Sequence, residues 1–323
     1  MPIDLVIGAG HWGQGGQNDE TQLIAAIRKY KSVIKTVDTA ALYPFAAPGS
    51  SEKVVGDAGF GNDGYLVNTK ALFYPQGGCY TPDGVQSSVA RSLESLNMAN
   101  VHVLYAHAPD QKTPISEQAA AFNDAFRKGH CKSVGVANLD AEMLQEWISA
   151  AQANGYVKPT IYQGHYNLLC RAHEETIFPL IRQNGMKYMA YSPIAGGFLS
   201  GIPTFSSSSE LAGTRFEATD NNVKHGPFYR FWYNKESMHT AVRTLKTNAD
   251  RHGLSLPTIA IRWLLHHSAL QDGDGIIIGP ETVDELDECI QAYNAGPLPD
   301  DLVMVIESLQ GFLKEDAKTI VHF

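Results

Sequence analysis

Apolar residues along the chain recur with two different periods. Eight short runs rich in β-branched and other apolar residues are typical of buried strands. The stretches between these runs carry apolar residues at the spacing of amphipathic helices. The predicted strands are Leu5 to Ile7, Val33 to Val37, Tyr65 to Thr69, Val101 to Tyr105, Ser133 to Val136, Thr160 to Tyr162, Met186 to Tyr191 and Ile276 to Ile278, and the predicted helices include Glu20 to Tyr30, Gly84 to Leu96, Ile115 to Arg127, Ala141 to Ala153 and Glu174 to Gln183.

The alternation of strands and helices predicts an α/β fold with parallel strands, and eight such units that close on themselves form a (β/α)8 TIM barrel. No linker rich in Pro, Gly or charge divides the chain, so we expect residues 1–323 to form a single barrel domain. Residues 201–234 are irregular, with a serine run at one end and the aromatic stretch from Phe228 to Tyr233 at the other. So long and aromatic a loop indicates a lid.

Composition and charge exclude several functions. Hydrophobic residues make up 44% of the chain and charged residues 18%, as in well-packed globular proteins. The formal net charge of -9 opposes binding to nucleic acids. No apolar run approaches the ~18 residues of a membrane span, and the first residues lack a signal-peptide pattern. Four scattered cysteines suggest neither disulfides nor a metal site. We therefore expect a cytoplasmic protein without nucleic-acid, membrane or metal partners.

Polar residues end several of the predicted strands or follow them directly. Asp38 and Lys70 end two neighbouring strands, and His107, Asn138 and Gln163 follow three later ones. A core strand gains nothing by ending in a buried charge unless that charge has a partner. Because the active site of a TIM barrel lies at the carboxyl ends of its strands, we expect these side chains to meet there.

Three side chains in this region suit proton transfer. Tyr43 lies on the loop after Asp38, and Lys70 ends the next strand. An ammonium group lowers the pKa of a nearby phenol, whose ordinary value is about 10, and a carboxylate holds the ammonium in place. Each residue alone also has a structural explanation, as a turn cap, a loop aromatic or a solvated strand end. Their convergence predicts a general acid.

A glycine motif near the N-terminus offers an alternative fold. Gly8 to Gly13 matches GxGxxG directly after a strand, and Asp38 closes the next strand, as in a Rossmann dinucleotide site. However, the helix that should begin at the third glycine is delayed to about Asp19. The Rossmann interpretation also leaves the residues around Asp38 unexplained.

Several ordered motifs resemble those of the aldo-keto reductases. They are Val-Asp-Thr-Ala-Ala-Leu-Tyr (37–43), Asn-Thr-Lys-Ala (68–71), Leu-Tyr-Ala-His-Ala-Pro-Asp (104–110), Gly-Val-Ala-Asn-Leu (135–139) and Tyr-Gln-Gly-His-Tyr-Asn (162–167). The stretches 191–201 and 262–268 are most similar to the aflatoxin-aldehyde reductase branch. The resemblance covers nearly the whole chain and implies the TIM barrel and an NAD(P)H-dependent reductase of aldehydes or ketones.

The resemblance also implies a role for each polar residue. Tyr43 would be the general acid, Lys70 would ease loss of its proton, Asp38 would hold Lys70, and His107 would orient the substrate carbonyl. Asn138 and Gln163 would bind the nicotinamide carboxamide, and Tyr191, unless it is a core aromatic, would stack on the ring. The other cofactor contacts that the resemblance implies, together with Asp38, are Ser192, Pro193, Ala195, Gly196, Leu199, Gly201, Arg215, Gly279, Glu281, Thr282, Glu285 and Cys289.

The adenosine end departs from the family pattern. Many aldo-keto reductases hold the 2′-phosphate of NADPH with Lys and Arg after the last strand, whereas this chain has Glu281 and Glu285 there, and Cys289 replaces the usual Asn. Carboxylates repel a phosphate but can accept a hydrogen bond from the 2′-hydroxyl of NADH. They could also belong to an ordinary solvated helix start. NADPH, with Arg215 as its phosphate partner, is the expectation by resemblance, and NADH is the alternative.

The predicted substrate is a small carbonyl compound. Trp12, Tyr43, His107, Phe228 and Arg230 are the expected contacts, and Arg230 matches a substrate-binding arginine of the related branch. A surface arginine over Trp232 is the structural alternative for Arg230. The related branch forms dimers, which favours a homodimer. A different class of function is a nucleotide-binding regulatory barrel of the potassium-channel β-subunit kind, which resembles the same family.

Overall fold

A computed structural model describes residues 2–14, 20–218 and 226–320 of the chain. Eight parallel strands form a closed barrel in which each strand pairs with the next and the last pairs with the first. The strands are β1 (Asp4–Gly8), β2 (Ile34–Asp38), β3 (Leu66–Lys70), β4 (Val101–Ala106), β5 (Cys131–Ala137), β6 (Ile161–His165), β7 (Lys187–Tyr191) and β8 (Gly275–Ile278). The predicted TIM barrel and its eight strands are confirmed, and the closed sheet excludes the Rossmann alternative.

Helices connect the strands around the outside of the barrel. They are α1 (Glu20–Lys29), α2 (Ser50–Asp57), α3 (Pro82–Ser95), α4 (Ile115–Arg127), α5 (Ala141–Asn154), α6 (His173–Thr176), α7 (Phe178–Gln183), α8 (Ile202–Phe205), α9 (Gly226–Tyr233), α10 (Glu236–His252), α11 (Leu256–His266), α12 (Val283–Asn294) and α13 (Asp300–Ala317). The single helix predicted from Glu174 to Gln183 is wrong, because α6 and α7 are separate. Pro179 lies in the first turn of α7 and has no N–H to continue the hydrogen bonding of α6.

Local side chains mark where several helices begin. The side chains of Thr81, Asp140 and Ser255 accept hydrogen bonds from the backbone N–H group of the third residue in α3, α5 and α11, respectively. Such caps satisfy N–H groups that have no partner within the helix. Buried apolar residues of the helices then pack on the outer face of the sheet.

A second, smaller core fills the barrel interior. It consists of alternate residues from several strands, namely Val6, Val103, Tyr105, Ile161, Met189 and Ile277. Because these side chains pack together, the interior is a core and not a pore. An open site can therefore lie only at a mouth of the barrel.

The connection from β7 to β8 is the longest excursion from the barrel. It contains two short 3-10 helices, Ala195–Ser200 and Ser208–Leu211, as well as α8, α9, α10 and α11. The irregular stretch 201–234 thus holds short helices in its described part. None of the described helices is both long and apolar enough to cross a bilayer.

Candidate active site

A buried ion pair joins the ends of β2 and β3. The Lys70 ammonium donates hydrogen bonds to Asp38 Oδ1 and, at 2.9 Å, to the carbonyl oxygen of Thr39. The side-chain exposure of Lys70 is 1% and that of Asp38 is 4%. The second carboxylate oxygen accepts a hydrogen bond of 3.0 Å from Gln163 Nε2. Asp38 therefore holds Lys70 in one position and has both oxygens engaged.

Tyr43 lies over this pair on the turn that follows β2. Its backbone carbonyl accepts hydrogen bonds from the N–H groups of Gly49 and Ser51, both at 3.1 Å, which fixes the turn against the start of α2. The Lys70 ammonium is 4.9 Å from the centre of the Tyr43 ring. The His107 ring meets Tyr43 edge-on, with 5.2 Å between the ring centres. The structure thus brings together Asp38, Tyr43, Lys70 and His107.

Burial and charge act on the phenol in opposite directions. Burial raises the pKa of Tyr43, Lys70 lowers it, and Asp38 raises it, so the pKa lies above its ordinary value of 10.0. Lys70 lowers the pKa of Tyr43, as expected, but desolvation is the larger effect and makes the net shift upward. For Lys70, burial lowers the pKa, but Asp38 and Tyr43 raise it more, so its net shift is upward.

His107 is fixed at the end of β4 through its main chain. Its backbone N–H donates a hydrogen bond of 2.7 Å to the Tyr80 hydroxyl, and its carbonyl accepts one of 3.0 Å from Asn138 Nδ2. The ring lies at the cavity wall beside Tyr43. An imidazole at this position can hydrogen-bond an oxygen atom that approaches the phenol.

Asn138, Gln163 and Tyr191 line the adjoining wall of the cavity. The Asn138 side chain donates one N–H to the His107 carbonyl and accepts a hydrogen bond of 2.8 Å from the Tyr191 hydroxyl. One amide N–H and one oxygen lone pair of Asn138 remain for a ligand. This is the donor and acceptor set that matches a carboxamide.

The segment after β7 exposes backbone at the cavity. Ser192, Ala195, Gly196, Gly197 and Gly201 all have φ between 53° and 99°. Pro193 and Gly196 line the cavity, whereas Ala195 and Leu199 are buried in the core and do not line it. Consecutive small residues in this conformation leave room for a ligand phosphate to approach the main-chain N–H groups.

Helix α9 covers this segment with aromatic rings. The Tyr229 hydroxyl shares a hydrogen bond of 2.6 Å with Ser192 Oγ, and the Tyr229 ring packs directly on Gly196. Tyr229, Trp232 and Tyr233 also surround His165, which is 1% exposed and accepts or donates a hydrogen bond at Tyr233. Burial lowers the pKa of His165 to about 3, so its ring is neutral. This structural role of His165 was missed, although the residue belongs to a recognised motif.

Arg215 lies at the cavity wall near the phenol. Its guanidinium contacts His11 Nε2 and lies 4.6 Å from the centre of the Tyr229 ring. Arg215 also lowers the pKa of Tyr43. These contacts place its charge on the Tyr43 side of the cavity.

The cavity at this mouth of the barrel has a volume of about 520 Å³. This size is typical of small-molecule sites. The predicted residues that line it are Asp38, Tyr43, His107, Asn138, Gln163, Tyr191, Ser192, Pro193, Gly196, Arg215, Phe228, Gly279, Glu281, Glu285 and Cys289.

Seven other predicted site residues do not line the cavity. Lys70 lies behind Asp38 and Tyr43, and Ala195, Leu199, Gly201 and Thr282 support the loops. Trp12 is 4% exposed and stacks on Phe60 in the core. The Arg230 guanidinium donates to the backbone carbonyl of Glu217. The structure therefore gives Trp12 and Arg230 packing contacts.

Sequence reasoning also missed part of the lining. The missed residues include His11, Leu42, Phe45, Ser200, Pro257, Ile261 and Glu288. Leu42 and Phe45 flank Tyr43 in the sequence, and this proximity could have identified them. Pro257 and Ile261 lie on α11, and nothing in their local pattern distinguishes them from core residues.

Comparisons with known proteins point in one direction. The family model described as "Aldo/keto reductase family" matches residues 4–310. An aldo-keto reductase of Pseudocercospora fijiensis is 32% identical over 283 residues, which is 86% of this chain and 93% of that protein. The oxidoreductase sirO of Leptosphaeria maculans is 32% identical over 297 residues, 90% of this chain and 87% of its own length. The human aflatoxin B1 aldehyde reductase member 2 is 31% identical over 310 residues, with 90% and 82% coverage.

Proposed function

Because the chain belongs to the aldo/keto reductase family and is an NAD(P)H-dependent oxidoreductase that reduces carbonyl groups, we propose that Tyr43 is its general acid. The observation that carries the proposal is the convergence of the Lys70 ammonium and the His107 ring on the Tyr43 phenol. A reacting carbonyl oxygen at this point meets a proton donor, a hydrogen-bonding ring and a buried cation.

The residues of the site have separate tasks in proton transfer. Tyr43 donates its hydroxyl proton to the carbonyl oxygen, and the phenolate that remains is stabilised by Lys70. Because burial raises the pKa of Tyr43, Lys70 offsets part of the cost of forming that phenolate. Asp38 is a positioning residue, since both of its oxygens are taken by Lys70 and Gln163. His107 orients the carbonyl oxygen toward the phenol.

The cofactor is held by side chains and by exposed backbone. We assign the nicotinamide carboxamide to Asn138 and Gln163, the ring face to Tyr191, and the pyrophosphate to the segment 192–201. The free donor and acceptor of Asn138 and the small residues of this segment fit those groups. When bound, the nicotinamide supplies the hydride, which no protein side chain can provide. NADPH and NADH carry the same ring and differ only at the 2′ position of the adenosine ribose.

The remainder of the cavity selects the substrate. Phe45, Phe73, Phe228 and Trp232 line it with apolar rings, which suits a carbonyl compound with an aromatic or alkyl body.

We assign the chain to the cytoplasm, which is supported by its four free cysteines in this fold.

Replacing the phenol tests the proposal. Tyr43→Phe should lower kcat/KM for a nitrobenzaldehyde by roughly 10²–10⁴-fold, the usual loss when a general acid is removed. The Kd of the nucleotide should stay unchanged, since the ring remains in place. Tyr74→Phe is the control, because Tyr74 is 41% exposed and does not line the cavity. Full activity of Tyr43→Phe would refute the assignment.

A further inference from the structure

The cavity has an acidic end. Glu281, Glu285 and Glu288 line it where β8 passes into α12, and Cys289 lies beside them. This end is built from different elements than the Tyr43 end, which is formed by residues from the ends of β2, β3 and β4. When the nicotinamide of a dinucleotide lies at Asn138 and Gln163, the adenosine of the same molecule lies in this part of the cavity.

The start of α12 already contains an anion of the protein itself. The N–H of Glu281 donates a hydrogen bond of 2.7 Å to Glu285 Oε2, and the N–H of Glu285 donates one of 3.2 Å to Thr282 Oγ1. The first N–H groups of a helix are a favourable place for a phosphate. Here the Thr282 hydroxyl takes one of these donors, the N–H of Glu285, and the Glu285 carboxylate takes the N–H of Glu281 just before the helix.

Glu288 is held in place by the neighbouring helix. It accepts hydrogen bonds from the Ser255 hydroxyl and, at 3.4 Å, from the Thr258 hydroxyl, both near the start of α11. Burial, together with the nearby carboxylates of Glu288 and Glu285, raises the pKa of the Cys289 thiol to about 12. The carboxylates thus give this end a negative potential.

Cationic side chains of the cavity wall lie elsewhere. Arg215 is the only Lys or Arg among the described residues that line the cavity. It contacts His11 and Tyr229 on the Tyr43 side. A 2′-phosphate adds a group of charge about -2. Next to fixed carboxylates such a group is repelled, whereas a neutral hydroxyl can donate a hydrogen bond to one of them.

We propose that the acidic end receives an adenosine with a free 2′-hydroxyl, so that the chain prefers NADH to NADPH, with Glu285 as the main determinant. This inference rests on the proposed function for the location of the nucleotide. It departs from the NADPH expectation, because that expectation followed the family resemblance and this end of the cavity does not fit the phosphate.

Direct binding measurements test this preference without turnover. The Kd values of NADH and NADPH are measured by titration calorimetry with the full chain, and we expect NADH to bind at least tenfold more tightly. Raising the salt concentration should narrow the gap, because salt screens the repulsion of the 2′-phosphate. A basic 2′ site would give the opposite salt dependence.

A matched pair of variants identifies the determinant. Glu285→Gln removes one charge and keeps an oxygen for the Glu281 N–H, so it should reduce the ratio of the two Kd values severalfold. Asp284→Asn removes a charge from the same turn at an exposed residue that does not line the cavity, so the ratio should not change. Equal or tighter binding of NADPH by the wild type, or equal effects of the two variants, would overturn the proposal. Loss of activity in Tyr43→Phe bears only on the catalytic assignment.

Discussion

Lys70 is the residue whose environment most constrains the site. Its ammonium is buried and donates to Asp38 and to the Thr39 carbonyl. Charges are expensive to bury and persist in a core only when they are paired and hydrogen-bonded. The pair therefore needs both partners, and removal of either one leaves the other charge uncompensated.

We predict that Asp38→Asn lowers the free energy of unfolding by about 3–5 kcal/mol, the usual effect of breaking a buried ion pair. Adding Lys70→Met to this variant should recover part of the loss, because no unpaired ammonium remains. Urea unfolding of both single variants and the double variant measures the coupling. Asp63→Ala, in an exposed pair with Arg28, is the control and should cost less than about 1 kcal/mol.

The contribution of the Asp38–Lys70 ion pair to stability depends on pH with a definite sign. The pKa of Lys70 in the folded chain lies above its ordinary value of 10.5. The stabilisation is therefore complete below pH 10.5 and is lost as the pH rises through the folded value. The gap between wild type and the double variant Asp38→Asn/Lys70→Met, in which neither group can titrate, should stay constant from neutral pH to about pH 9. A gap that changes in that range would contradict a stabilised ammonium.

At the scale of elements, α9 and the segment after β7 form one packed unit. A Cβ atom on Gly196 would lie 2.1 Å from Tyr229 Cε1, and the φ of Gly196 is 65°. Gly213, an exposed residue that does not line the cavity, has a φ of 75° and open space at the same position. The two glycines thus separate the cost of the backbone conformation from the cost of displacing α9.

We expect Gly196→Ala to displace Tyr229 and raise the Kd of the nucleotide by about tenfold, which corresponds to ~1.4 kcal/mol. Gly213→Ala bears backbone strain but meets no ring and lies outside the cavity, so its effect on Kd should be clearly smaller. Fluorescence titration of the two variants with the same nucleotide compares them. Equal effects would show that contact with Tyr229 is unimportant.

Helix α2 ties three strand ends together through buried polar groups. The Ser51 hydroxyl donates to the Ala9 carbonyl at 2.6 Å and shares a hydrogen bond of 2.7 Å with Thr39. Glu52 Oε1 accepts a hydrogen bond of 2.5 Å from Thr69, next to Lys70. Burial raises the pKa of Glu52, while Thr69 and Lys70 partly lower it.

This raised pKa predicts a change in stability with pH. Between pH 4.5 and the pKa of Glu52 in the folded chain, the native chain holds a proton on Glu52 that the unfolded chain has lost. The stability of the wild type therefore falls as the pH rises. In Glu52→Gln that loss is absent, so the stability of the variant relative to the wild type should increase by about 1.4 kcal/mol for each pH unit in this window. Urea unfolding at pH 4.5 and at neutral pH measures the increase. Glu146→Gln, at an exposed residue of α5, is the control for a lost carboxylate.

At the scale of the whole molecule, the two mouths of the barrel have different roles. The proposed catalytic groups lie at the carboxyl ends of the strands, while Asp274 is buried just before β8 at the other mouth. Asp274 pairs with Arg182 and accepts hydrogen bonds of 2.8 Å from the N–H groups of Tyr188 and Gln271. These contacts join the beginnings of β7 and β8.

Asp274→Ala should therefore lower the free energy of unfolding by about 3–5 kcal/mol, since it leaves the Arg182 charge without its partner. The kcat/KM of the folded variant should match that of the wild type, because the cavity lies at the opposite mouth. Thermal unfolding and steady-state assays well below Tm separate the two effects. A large loss of kcat/KM in fully folded protein would contradict this division.

Much of this architecture follows from local features that the sequence displays. The strand and helix periods predicted the barrel, because each helix buries one face against the sheet and each strand is buried on both faces. Asp38, Lys70, His107, Asn138 and Gln163 were recognisable because a polar group at the end of a buried strand needs a reason to be there. Pro179 was also visible in the sequence as a residue that separates two helices, although a single helix was predicted there.

The tertiary structure alone decided which side chains face the cavity and how their charges are balanced. Arg230 and Arg215 look alike in sequence, but the packing of α9 directs Arg230 to the Glu217 carbonyl while Arg215 lines the cavity. The net rise in the pKa of Tyr43 likewise depends on burial. Local pattern fixes the element in which a residue lies, whereas desolvation and side-chain direction depend on elements distant in the chain that only folding brings into contact.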